Sequence, residues 1–143
     1  MKKAILAKIL TLSGSLVFIF LTFLKFCGND YFFKIEINSI LIAYGAIILS
    51  FVSGMHFSYA ILQDKIPIRL LIFSNIIALF AWCCLLMDFK LSLAILLLCY
   101  LFNILIDFIA HKNSIIEKWF FDLRLRISLI VMICLLINFW HTT

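Results

Sequence analysis

The sequence predicts an all-α membrane protein, a bundle of five transmembrane helices with a short interfacial helix before the last span. Three observations carry that prediction. Of 143 residues, 66% are hydrophobic and 13% are charged, against about 45–50% and about 25% in soluble domains. The apolar residues gather into runs near 9–26, 38–62, 70–87, 91–109 and 123–140, close to the ~20 helical residues that cross a ~30 Å hydrocarbon core. Lysines and arginines sit at the ends of those runs, where membrane topology places them. Spanning strands are excluded, because lipid-exposed backbone must satisfy itself and no alternating barrel pattern is present. Pro67 is the one proline and no Gly/Ser/Pro-rich linker divides the chain, so residues 1–143 read as a single integral membrane domain.

The first run follows Met1-Lys2-Lys3, a charged start like that of a signal peptide. It is too long for the apolar core of such a peptide, and no small-x-small cleavage site follows, so it reads as a retained span. The second run carries Ala46, Ser50, Gly54 and Ser58 at intervals of four. That small-residue row is the helix-packing face, where a neighbouring helix approaches closely; packing within the chain is the simpler use, a homodimer the alternative. Between runs four and five, Ser114-Ile115-Ile116-Glu117 reads as a capping box. Behind it Ile115, Ile116, Trp119, Phe120 and Leu123 share one helical face, which predicts a short helix in the membrane interface anchored by Trp119. The uninterrupted apolar part of the fifth run, Ile127–Trp140, is short for a span unless its helix begins before it, near Leu123.

Orientation follows from the basic residues. Lys2, Lys3, Lys8, Lys65, Arg69, Lys112, Lys118, Arg124 and Arg126 fall on one side of a five-span arrangement, and Lys25, Lys34 and Lys90 on the other. Nine against three places the N-terminus in the cytoplasm and the C-terminus outside a bacterial inner membrane, or a mitochondrial inner membrane if the source is eukaryotic. The net charge of +5 is thereby explained by topology, and nucleic acid is not expected as a partner. The expected partners are the lipid bilayer and, beyond it, a membrane-protein partner or a second copy.

On this orientation the polar residues of the spans concentrate toward the cytoplasmic side. His56, Asn75, Asn103 and Asp107 lie there with Arg124 and Arg126, as do Thr11, Ser13, Gly14 and Ser15 of the first run. Ionisable groups inside a membrane are costly and mark functional sites by default. Each also has a plain structural use. Asp107 can pair with Arg124, Arg126 or His111; His56 can bond Ser53, Asn75 or a backbone carbonyl; the asparagines can link helices. No metal or cofactor is expected. The five cysteines form no CxxC, the histidines do not share a depth for haem, and no catalytic motif is present.

Tyr44-Gly45-Ala46-Ile47-Ile48-Leu49-Ser50-Phe51 with Gly54 and His56, then Asp107, Trp119 and Leu123-Arg124-Leu125-Arg126, resemble the signature segments of the domain-of-unknown-function 3429 family. That family includes the eukaryotic proteins called transmembrane protein 69. Where it usually reads Gly-Gly and Trp-Gly, this chain has Ser53-Gly54 and Phe57-Ser58. The resemblance implies a small multi-spanning protein and no particular reaction. The expectation is therefore an uncharacterised, non-enzymatic assembly or interaction component. A transporter, proton relay or small-ligand or quinone site at the polar cluster is the alternative.

Overall fold

Five long helices alternate in direction in the computed structural model, which describes residues 2–62 and 69–141. The connection carrying Gln63, Lys65 and Pro67 lies outside the described residues. So do Met1, the side chains of Lys2, Lys3 and Ala4, and Thr142-Thr143. The helices are α1 (Lys2–Phe26), α2 (Ile37–Leu62), α3 (Arg69–Cys83), α4 (Phe89–Lys112) and α5 (Lys118–His141). α3 tightens into a 3-10 turn at Cys84–Leu86, which completes the third apolar run. Four stretches, Ile5–Phe26, Ile37–Leu62, Arg69–Leu86 and Phe89–Lys112, are long and apolar enough to cross a membrane.

α2 packs most extensively on α3 and also meets α1 and α4, while α5 lies against α4 and α1. Phe18, Leu41, Leu49, Leu93, Leu96 and Leu135 are fully buried at the centre. Leu10, Leu16, Phe51, Leu79, Leu98, Phe102, Leu105 and Ile133 point outward from all five helices. An apolar exterior so extended is rare on a soluble monomer.

The ends of α1 and α5 coincide. Lys8 Nζ lies 5.8 Å from the Trp119 ring, and Phe26 faces His141 at the opposite end. Lys25 there donates to Asn38 Oδ1 at 2.7 Å and covers Phe89, tying three helices together.

Two features depart from the sequence reading. The first is at the α4–α5 turn. Ser114 adopts φ +57°, its N–H donates to His111 O, and the Ile115 N–H donates to Ala110 O. That is the left-handed, six-to-one and five-to-two closure that ends a helix, so Ser114 terminates α4 and caps no following helix. Glu117 instead accepts from the N–H groups of Phe120 and Phe121, and a single continuous helix runs on from Lys118. The expected separate interfacial helix is the opening of α5, half-buried Trp119 included.

The second is a short hairpin between α1 and α2. β1 (Tyr31–Phe32) pairs antiparallel with β2 (Ile35–Glu36). Phe33 and Lys34 both take positive φ, 49° and 67°, the backbone that a two-residue hairpin demands. It sits outside the apolar runs, so the exclusion of spanning strands is unaffected.

Candidate functional site

Helical spacing brings three ionisable side chains to one point. On α2 the buried face steps through Gly45, Leu49, Ser53 and His56. On α4 it steps through Cys99, Asn103 and Asp107, and on α5 through Arg124, Ile127 and Val131. Each sequence follows the three- and four-residue period of one helix face. His56, Asp107 and Arg124 end within hydrogen-bonding reach of one another, with 0%, 3% and 6% of their surface exposed.

The Asp107 carboxylate is shared between two donors. Oδ1 lies 2.8 Å from His56 Nε2, and Oδ2 accepts from Arg124 Nε at 2.8 Å. A carboxylate oxygen only accepts, so the His56 proton belongs on Nε2. One guanidinium nitrogen then faces that N–H at 3.2 Å without a hydrogen bond, and the other points to Met55 Sδ at 3.3 Å. With a neutral imidazole the positive and negative charges cancel. The rings of Tyr59 and Phe120 border the group.

Two buried polar atoms near this level have no partner among the described residues, His56 Nδ1 and Asn103 Oδ1. The Asn103 amide spends its N–H on Cys99 O, one turn back. Asn103 precedes Asp107 by one helical turn, so both belong to the same face of α4.

Of the six residues expected in the polar cluster, three meet, Asn103 lies a turn away, and two stand apart. Asn75 is exposed on α3 and bonds its own helix at Leu71 O. Arg126 is exposed too, because two residues rotate a helical side chain by ~200° and Arg124 takes the inward position. Ser53 does not serve His56; its hydroxyl donates to the backbone carbonyl of Ser74 on α3. Thr11, Ser13 and Ser15 bond the carbonyls of their own helix, so no hydroxyl of α1 joins the cluster. His111 stacks on Phe121 and reaches Ile116 O, not Asp107.

The small-residue row also divides. Ala46 is buried and Ser50 half-buried, but Gly54 and Ser58 are exposed, and a Cβ at Gly54 would meet nothing within 4 Å. The close approach occurs instead at Gly45, where a Cβ would lie 3.1 Å from Leu96 Cδ1. Tyr100 Oη also donates to Gly45 O at 3.2 Å, and Tyr44 Oη donates to Gly14 O at 2.9 Å.

A further polar link escaped the sequence reading. Asn138 of α5 donates to Thr22 Oγ1 of α1 at 2.9 Å, both residues buried toward the end opposite the triad. An asparagine within an otherwise apolar run was the available signal. Among the described residues no group of three metal-ligating side chains assembles.

The model of a family described as a protein of unknown function, DUF3429, matches residues 4–140. No curated protein and no solved structure matches the chain.

Proposed function

We propose, from the premise that the chain belongs to the DUF3429 family of unknown function, that it is a five-span membrane protein acting through assembly or interaction rather than turnover. The fifth span is supported by α5 lying beside α1 from Lys8–Trp119 at one end to Phe26–His141 at the other. Arg124, which interrupts the apolar character of α5, faces Asp107 and not the lipid side. The nine-to-three distribution of basic residues favours a cytoplasmic N-terminus. A bacterial inner membrane, or the mitochondrial inner membrane in a eukaryote, fits that charge pattern.

The observation that carries the non-enzymatic reading is closure of the triad. Its three members are buried and spend most of their polar atoms on one another. Two surface grooves lie away from the triad, beside Trp140 and beside Trp119. An ionic group of this kind fixes which helices pair and in what register. A proton or small polar guest at His56 is the second reading, favoured by the unpartnered His56 Nδ1 and Asn103 Oδ1.

Thiol labelling separates the two. In a cysteine-free background, His56→Cys and Asn103→Cys are expected to stay unreactive toward membrane-impermeant reagents from either side. Rapid labelling from one side would overturn the closed-triad reading and favour the guest. A reporter fused after Thr143 is expected outside; a cytosolic signal would defeat the topology.

A further inference from the structure

A groove of about 320 Å³ runs along the seam of α1 and α5, lined by Lys8, Leu12, Trp119, Asp122, Leu123 and Arg126. It lies outside the triad, on the surface of the bundle. Lys8 and Arg126 are exposed. Arg126 makes no hydrogen bond, ion pair or ring contact among the described residues, and Asp122, one turn before it, forms no ion pair with it. Lys8 has the Trp119 ring beside it and no carboxylate partner among the described residues.

Depth makes these two cations informative. Arg126 is eight residues into α5, about 12 Å along the axis. Helical side chains lean toward the N-terminus of their helix, so Arg126 reaches back toward the level of Trp119 and Lys8. A guanidinium facing lipid there is costly unless an anion meets it. Leu12 continues the groove with exposed apolar surface over the buried Leu123, and the indole of Trp119 suits headgroup depth.

We propose that this groove holds an anionic glycerophospholipid, its phosphate between Lys8 and Arg126 and its upper acyl chain along Leu12. Among the lining residues two cations stand against the one carboxylate of Asp122, and the neighbouring Glu117 carboxylate is engaged by the Trp119 indole N–H. The net positive lining favours an anionic over a zwitterionic lipid. The site rests on reading α1 and α5 as spans.

The test is native mass spectrometry of the full chain released from micelles with phosphatidylglycerol in a phosphatidylcholine background. Wild type is expected to retain phosphatidylglycerol preferentially, and Lys8→Gln/Arg126→Gln to weaken retention about tenfold or more. Asp122→Asn is expected to strengthen it, and Lys34→Gln/Lys90→Gln, at the far end, to leave it unchanged. The proposal is overturned if the groove variant retains phosphatidylglycerol like wild type, or if the far-end variant loses as much. Equal retention of phosphatidylcholine would also overturn it, as would displacement by inorganic phosphate, which would mark a site for a free anion. Alkaline extraction of membranes tests the spanning reading separately: a protein that stays with the membrane yet shows no lipid preference sinks only the groove.

Discussion

Replacing Asp107 by asparagine keeps the shape of the side chain and removes one charge. Arg124, six residues into α5 and 6% exposed, is then left with its positive charge buried. Opposite charges about 4 Å apart attract by about 4 kcal/mol at an effective dielectric near 20. Breaking a buried pair by removing one partner typically costs about 3–5 kcal/mol. Asp107→Asn should therefore destabilise the bundle by about 3–5 kcal/mol. Equilibrium unfolding in mixed micelles of rising dodecyl sulfate content, followed by far-UV circular dichroism, measures it. The companion variant is His56→Phe/Asp107→Leu/Arg124→Met, which removes both charges of this pair together with the imidazole. Because a buried ion pair gains little over well-packed apolar side chains, this triple variant should recover most of the loss. A cost below about 0.5 kcal/mol for Asp107→Asn would place it among ordinary surface substitutions and refute the reasoning. So would a triple variant as unstable as the single one.

Gly54→Ala adds a methyl group where nothing lies within 4 Å, so it should be neutral or stabilise α2 by up to about 1 kcal/mol. A clear loss of stability or a change in oligomeric mass by cross-linking would reveal a second helix seated on that face. Ser114→Gly relieves a left-handed residue at φ +57° and should raise stability by about 1 kcal/mol. The same variant would be destabilising if Ser114 were the N-cap of an interfacial helix, and the unfolding midpoint separates the two.

Much of the architecture was legible because long apolar runs bounded by polar residues read as helices from length and composition. The five apolar runs lie close to the helices, with boundaries shifted by a few residues where charged or polar side chains extend a helix past the apolar run. The pairing of Asp107 with Arg124 was among the expected alternatives, since the two flank one tight turn. The role of His56 as second donor was not. It stands 51 residues from Asp107 in the chain, and residue spacing indicates depth in a helix without saying which neighbour that face will meet. Gly45 was overlooked for a similar reason: a repeat of small residues looks like a packing face, whereas one glycine under Leu96 does the close packing.

Composition alone determined that this chain is a set of long apolar helices, because hydropathy acts residue by residue along each helix. Tertiary structure decided which rotational face of each helix turned inward. That choice put Arg124 inside against Asp107 and His56 and left Arg126 outside, two residues away. Rotation about a helix axis is set by the neighbours jointly, and no single helix carries that information.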